Sequence, residues 1–242
     1  QFVVVGAVTG RPPSQRVVDG VPHFAAREMT GVPPFDVVID FSLPEGFDAL
    51  LSLCLQRGAA LVSGTTGVSD AQRQALAEAS GRIPLVWASN FSLGVAVLTE
   101  LTERAAKALA QWDCDIVESH HTQKKDAPSG TALTLGQAAS TAGAEVHYAS
   151  LRAGDIVGEH TVQFAGLGER IELIHRATNR DIFARGALHA ARRLVGVRQP
   201  RRHGLRRTLP PLRQADRVCN RPWRHGGSLL QTARSRRAFP IL

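Results

Sequence analysis

Three short apolar runs with two helix-like stretches between them limit what residues 36–87 can become. The runs are Asp36–Asp40 (Asp-Val-Val-Ile-Asp), Leu61–Ser63 and Pro84–Trp87. Between the first two, Ser42-Leu43-Pro44-Glu45 reads as a capping box with proline in the first turn, opening a helix from Pro44 to about Gln56. Between the second and third, Ser69 caps a helix running to about Gly81. Strand, helix, strand, helix, strand implies a parallel sheet, because parallel neighbours need a crossover long enough to hold a helix. An unbroken apolar run such as Val37-Val38-Ile39 also implies burial on both faces.

In such sheets ligands collect beyond the carboxyl ends of the strands. Two polar junctions lie at those ends: Gly64-Thr65-Thr66-Gly67 and Ala88-Ser89-Asn90-Phe91-Ser92. As bare peptides both are also compatible with ordinary turns. Ahead of this sheet, Phe2 to Val5 reads as one further β-branched strand, followed by Gly6. A crossover helix would be expected next. Gly10, Pro12, Pro13, Gly20, Pro22, Gly31, Pro33 and Pro34 leave no stretch free of Gly and Pro longer than His23 to Thr30. The segment therefore cannot supply the usual first strand–helix unit of a dinucleotide fold.

Gly94 to about Trp112 reads as a long helix with Val95, Leu98, Leu101, Ala105 and Leu109 on one side, crossing into a second domain. That domain's first strand, Asp115 to Ser119, runs into Glu118-Ser-His-His-Thr-Gln-Lys-Lys-Asp-Ala-Pro-Ser-Gly-Thr-Ala132. Pro128 stops any helix or central strand, and Ser129-Gly130-Thr131 offers hydroxyls and backbone N–H groups where the helix Thr131 to Ala142 begins. A helix start attracts anions. Two imidazoles (His120, His121), two ammonium groups (Lys124, Lys125) and a helix N-terminus thus meet on one loop. Alone, the histidine pair reads as solvated or as a satisfied core contact, and the lysine pair as a solvated face. Together they suit a substrate with more than one carboxylate that takes up a proton. Val146 to Arg152, Thr161 to Ala165 and Arg170 to Arg176 read as further strands, the last two antiparallel around a Gly-rich turn. Asp181 to about Leu194 is a final helix. His160 reads as a hydrogen-bonded structural histidine and takes no catalytic role.

The loop resembles the signature of the dihydrodipicolinate reductase family, the 4-hydroxy-tetrahydrodipicolinate reductases of the diaminopimelate–lysine pathway. That signature is Glu, one residue, His-His, two residues, Lys, one residue, then Asp-Ala-Pro-Ser-Gly-Thr-Ala. Here it is met without a gap by Glu118, His120, His121, Lys124 and Asp126 to Ala132. Arg152-Ala153-Gly154-Asp155 and Gly158-Glu159-His160 are similar to family segments too, so the resemblance covers about residues 1–195. It implies an α/β chain: a Rossmann-like parallel-sheet domain, incomplete at its N-terminus, with an α+β substrate and oligomerisation domain whose sheet is mostly antiparallel. The implied boundaries are 1–93 for the first, 94–180 for the second, 181–195 for a helix returning to the first, and 196–242 for an Arg-rich tail.

The resemblance also implies roles. NADPH or NADH would reduce a cyclic, unsaturated imine dicarboxylate. His120 would be proton donor and acceptor, Lys124 a second donor and electrostatic stabiliser, and His121, Gly130 and Thr131 substrate contacts. Gly64, Thr65, Thr66, Ala88, Ser89, Asn90 and Phe91 would border the nicotinamide. With Phe2–Val5 taken as the family's second strand, Gly10 falls where many members carry an acidic residue for the ribose, and Arg11 where an arginine meets the extra phosphate of NADP. A homotetramer built through the second domain's sheet is implied as well.

Two departures from the family pattern stand out. Gly6-Ala7-Val8-Thr9-Gly10-Arg11 has the wrong spacing for the pyrophosphate loop and runs into Pro12-Pro13, so weak NAD(P)H binding and little activity are expected of the 242 residues as they stand. After the last helix, the net charge of +8 is concentrated: residues 192–242 hold 14 arginines, no lysine and one acid, Asp216, while the rest is net acidic. That tail reads either as a segment never selected to pack, as a coding-frame shift near Arg193 would produce, or as a basic arm for nucleic acid. The absence of lysine favours the first. No run of about 18 apolar residues predicts a membrane span, and no charged then apolar leader is apparent. Cys54, Cys114 and Cys219 are widely spaced and unlike a zinc or disulfide framework, which points to a reducing cytoplasm.

Overall fold

In the computed structural model, which describes residues 2–196 and 202–203, the first regular element comes late. Residues 2–6 form no strand. Instead β1 (Ala7–Thr9) pairs in parallel with β3 (Val21–Ala25), which is antiparallel to β2 (Val17–Val18). The expected strand at Phe2–Val5 is therefore corrected. The Phe2 ring packs into the core under the last helix, with the Arg192 guanidinium 5.8 Å from its centroid, and Val3 and Val4 stay in solvent. A 3₁₀ helix, Ala26–Gly31, follows, and among the described residues no α-helix precedes the parallel sheet.

That sheet contains β4 (Val37–Asp40), β5 (Ala60–Ser63) and β6 (Leu85–Trp87), side by side and parallel. β4 leads into α1 (Pro44–Arg57) and β5 into α2 (Asp70–Ala79). All four residues of β5 are buried because they face opposite cores in turn. Leu61 packs with Phe47, Leu51, Cys54 and Leu76, whereas Ala60 and Val62 pack with Phe91, Ala187, Ala190 and Leu194. Truncating such a side chain, as in Leu61→Ala, costs ~2–5 kcal/mol. The capping box expected at Ser42–Glu45 does not form: Leu43 is the cap residue, and the Ser42 amide donates to Asp40 Oδ1 at 2.9 Å. At Ser69 the box does form, with the Gln72 amide on the Ser69 hydroxyl and the Gln72 side chain on the Ser69 amide.

α3 (Leu93–Ala108) is capped by Ser92 and ends about a turn before Trp112. Trp112 packs instead against Gly166, where a Cβ would fall 2.6 Å from the indole. Leu101 is exposed, and the buried stripe runs through Val95, Leu98, Thr102 and Ala106. β7 (Asp113–His120) then starts a second sheet, followed by α4 (Gly130–Thr141), β8 (Val146–Arg152), β9 (Gly158–Gly166) and β10 (Glu169–Ala177). The strand order is β10-β9-β7-β8; β7 and β8 are parallel, the other pairs antiparallel. α3 and α4 cover the face that carries Cys114, Ile116, Val162 and Phe164. α5 (Asp181–Leu194) returns to pack on β4 and β5.

A short β11 (Arg202–His203) pairs in parallel with Leu85 and Val86 of β6. The expectation of a wholly unpacked tail is corrected at these two residues. An edge strand offers open N–H and C=O groups to any backbone, so pairing there needs no apolar side chain. The remaining Arg-rich residues lie outside the described ones. Among the described residues no helix is long and apolar enough to cross a membrane.

Candidate active site

Alternation along β7 turns Cys114, Ile116, Glu118 and His120 to the face under α3 and α4. The first two join the apolar core. The next two put a carboxyl group and an imidazole on the same face. Glu118 is 0 % exposed, and a carboxylate so far from water must find strong partners. It has several. Arg152 donates through one guanidinium nitrogen to Oε1 at 2.8 Å and through the other to Oε2 at 3.0 Å. The Ser129 amide donates to Oε1 at 3.2 Å, and His120 Nδ1 bonds Oε2. Burial alone would push Glu118 up, but hydrogen bonds from Arg152, Ser150 and His120 outweigh it and hold the carboxyl down at about 2.

His120 is nearly enclosed, and burial lowers its pKa against the opposing pull of Glu118. Its ring meets His160 edge to face, with centroids 5.2 Å apart. His160, buried on β9, bonds the Ser129 hydroxyl through Nε2 at 3.1 Å; burial and the neighbouring His120 push it down to about 4. The structural reading of His160 agrees with that geometry. The loop after His120 is pinned by the segment after β8: Ala153 N–H donates to the His120 carbonyl, Thr122 N–H to the Gly154 carbonyl, and Arg152 to the Asp126 carbonyl at 2.7 Å. Lys124 extends to the Asp126 carboxylate at 2.7 and 2.9 Å, which lowers the Asp126 pKa. His121 is half-buried beside it. The Ala127–Pro128 peptide is cis. Ser129 caps α4 by accepting from the Ala132 amide at 3.2 Å. Gly130 and Thr131 are the first residues of that helix, where no preceding turn can satisfy their N–H groups.

The first sheet contributes its two polar junctions. Asp40, buried at the end of β4, accepts from the hydroxyls of Ser63 (2.8 Å) and Thr65 (2.7 Å). Trp87 Nε1 donates to the Thr65 carbonyl at 2.9 Å. Thr65 is thus committed to the frame of its turn, with Thr66 exposed beside it. A Cβ at Gly64 would lie 2.4 Å from the exposed Phe41 ring and would have to displace it. At the second junction Ser89 is exposed and Ala88 partly so, and Phe91 is buried against Phe41, with ring centroids 5.4 Å apart. Asn90 accepts from the Ser92 amide and donates through Nδ2 to the Thr131 hydroxyl at 2.9 Å. Ser92 in turn bonds His175 Nε2 of β10 at 3.2 Å.

The remaining expected cofactor contact stands on a separate sheet. Arg11 follows β1 on the small sheet, exposed, its carbonyl accepting from Thr9. A cavity of about 300 Å³ lined by Val32, Pro34, Phe35 and Arg57 also lies apart, at the end of α1, and its guanidinium is engaged by the carbonyls of Thr30, Val32 and Pro33. Residues that sequence reasoning passed over are Asp40, Arg152, Ser92 and His175, and the central place of Glu118. Glu118 left the clearest signal, an acid in register with Cys114 and Ile116, while Arg152 and Ser92 stood in noted segments without a role of their own.

A nicotinamide cofactor can be tested against these residues. The turns after β5 and β6 form an open, neutral edge next to the head of α4, which fits the nicotinamide end. Among the described residues, no glycine turn runs into an α-helix ahead of β4, so the diphosphate finds no such cradle there.

Family models match along most of the chain: dihydrodipicolinate reductase, N-terminus, over residues 5–91, and dihydrodipicolinate reductase, C-terminus, over residues 94–209. A 4-hydroxy-tetrahydrodipicolinate reductase of Stenotrophomonas maltophilia (strain R551-3) is 80% identical over 193 residues, which are 80% of this chain and 81% of that protein. One from Xylella fastidiosa (strain 9a5c) is 65% identical over 195 residues, 81% of this chain and 82% of that protein. The dipicolinate-bound dihydrodipicolinate reductase of Paenisporosarcina sp. TG-14 superposes with a TM-score of 0.67 at 25% identity, covering 81% of this chain and 83% of that one. With two family models spanning both sheets and relatives this similar, the chain belongs to the dihydrodipicolinate reductase family.

Proposed function

We infer that this protein reduces 4-hydroxy-tetrahydrodipicolinate to tetrahydrodipicolinate with a nicotinamide cofactor, in diaminopimelate and lysine biosynthesis. The observation that carries this reading is the hydrogen bond from Asn90 to Thr131, which brings the turn suited to a nicotinamide against the anion-attracting head of α4. Family relatives named for this reaction support it.

The cofactor, when bound, supplies the hydride. What the chain's own residues do follows from their chemistry. Reduction of a double bond conjugated with an imine leaves an electron-rich ring that requires a proton. His120 is assigned that proton, because an imidazole titrates near neutrality and its Nδ1 is already held by Glu118. Lys124, steadied by Asp126, is assigned a stabilising and second proton-donating role. The N–H groups of Gly130 and Thr131, with His121, would hold the substrate carboxylates. Gly64, Thr66, Ala88, Ser89, Asn90 and Phe91 would flank the nicotinamide, Thr65 acting through the turn it braces. NADH or NADPH would serve as the cofactor, with Arg11, exposed after β1, as the residue to meet an NADP phosphate.

The outer face of the second sheet supports self-association, because β8 and β10 carry exposed Leu151 and Ile174 opposite the side covered by α3 and α4. A homotetramer through that face is our reading. A cytoplasmic location fits the free, buried thiols of Cys54 and Cys114. We divide the chain into residues 1–93, 94–180 and 181–195; the separate core of β7 to β9 with α3 and α4 supports the second, and the core that α5 shares with β5 and β6 supports the return of the third to the first.

The test is cofactor oxidation by the full chain supplied with 4-hydroxy-tetrahydrodipicolinate, in parallel with His120→Gln. The variant should lose roughly 10²–10⁴-fold in turnover while its dipicolinate affinity changes little. Near-normal turnover would remove His120 from the role.

A further inference from the structure

We propose that Glu118, held by Arg152, is a positioning residue that ties the imidazole of His120 and the carboxylate-binding head of α4 to one fixed point. The proposal rests on the reductase reading for its kinetic consequences but not for its geometry.

Each carboxylate oxygen serves one part of the site and one guanidinium nitrogen. Oε2 takes His120 Nδ1 and Arg152; Oε1 takes the Ser129 amide and Arg152. An ionised carboxylate only accepts, so His120 Nδ1 must carry the hydrogen. The other ring nitrogen, Nε2, is then the atom left to exchange a proton. It points at Gly158, where even a Cβ would come to 3.0 Å, so a side chain at that position would crowd the reacting edge. Through Oε1 the same carboxylate fixes the amide of Ser129, the residue that caps α4 and bonds His160. Arg152 extends the frame once more by donating to the Asp126 carbonyl, next to the partner of Lys124. Proton donor, helix head and lysine loop therefore share one anchor.

Stability alone does not account for this arrangement. A buried ion pair contributes little net stability against apolar side chains of the same volume, because both charges must leave water. Its value lies in direction. A bidentate fork holds a carboxylate in one plane, and that plane sets the ring plane of His120. The charged and titratable groups around His120 are Glu118 on its own strand, Arg152 from β8, His160 from β9 and Lys124 from the loop, with Asp126 paired to Lys124. Of these, only Glu118 bonds the ring directly and favours its protonated form.

Glu118→Gln keeps the length and an acceptor oxygen for Ser129 but removes the charge. Turnover should fall about 10–10³-fold, since an orienting carboxylate holds both tautomer and ring direction. The alkaline limb of kcat/KM should move to lower pH, because loss of the anion disfavours imidazolium. A merely structural role would lower active fraction without moving that limb. Arg152→Lys, which keeps both charges and loses the fork, should lower kcat to a smaller extent with KM and the alkaline limb little changed, and serves if the Gln variant does not fold.

Histidine-labelled NMR of the full chain reads the geometry without any turnover. His120 should be the Nδ1–H tautomer in the native protein and in Arg152→Lys, whose carboxylate still only accepts, and mixed in Glu118→Gln. A native protein that reduces nothing but shows that tautomer would sink the reductase reading and leave the positioning intact. An Nε2–H tautomer in the native protein, or variants with the native pH limb and turnover within about twofold, would overturn the proposal.

Discussion

The two sides of the site are made of different materials. At the ends of β5 and β6 the working groups are hydroxyls, backbone amides and one side-chain amide, braced by a single carboxylate, Asp40. At the end of β7 they are charges and imidazoles: Glu118, His120 and His160 are shut away from water, and the partly exposed Arg152 closes over the carboxylate. A hydroxyl-and-amide edge is built from bonds worth about 1 kcal/mol net apiece and presents little field to a passing ring. A desolvated charge cluster is high-stakes, because any member left unpaired is costly. The contrast suits the division of labour. A nicotinamide needs a surface that fits it, whereas a dianionic substrate that must be protonated needs fixed donors.

Acid should separate the two sides most sharply. Glu118 sits at about 2 when folded, so its contribution is complete above the ordinary carboxylate value near 4.5 and is lost as pH falls through about 2. His160 sits at about 4, below its ordinary 6.5, so an unfolded chain gains a proton there that the folded one refuses. Stability from that source falls as pH drops from 6.5 through 4. Each shift is worth on the order of 3 kcal/mol. Denaturant unfolding across this range should show losses beginning below neutrality, and the losses should be smaller in His160→Asn. Equal acid sensitivity in native and His160→Asn proteins would erase the contrast.

The Asn90–Thr131 bond is where the two sides touch, and its effect is smaller. Asn90→Ala and Thr131→Val should be non-additive in stability by roughly 0.5–1.5 kcal/mol, measured as a double-mutant cycle. Strict additivity would mean that the contact is incidental. Smallest of all should be the stability change on Asp126→Asn, under about 1 kcal/mol, because the Lys124 pair faces solvent. A larger loss would show that the loop's charges are structural on both sides of Glu118.

Much of the fold is legible in the sequence. The parallel sheet follows from runs that are apolar throughout, which is what β5 requires when Leu61 faces one core and Val62 the other. The signature loop was legible as a string because its residues are contiguous. What sequence could not reveal was who bonds whom across distance. Ser42 and Ser69 carry the same capping pattern, yet only Ser69 forms the box, since Asp40 claims the Ser42 amide. Phe2–Val5 has the composition of a strand, but pairing depends on an available neighbour, and its phenylalanine found a core instead. Arg152 meets Glu118 across 34 residues, and nothing local in Arg-Ala-Gly-Asp points to that carboxylate. Arg11 shows the converse: a residue matched to a role by register alone, on a sheet that its register did not anticipate.

The central claim is that residues 118–132 form a dicarboxylate site whose proton donor is built in. Titration of the full chain with dipicolinate, beside picolinate with its single carboxylate, tests it most directly. Calorimetry should give saturable binding of dipicolinate, with picolinate at least about tenfold weaker, because one of two anion contacts is lost. Lys124→Met should narrow that gap. Equal affinities for the two acids, or a gap untouched by Lys124→Met, would contradict the account.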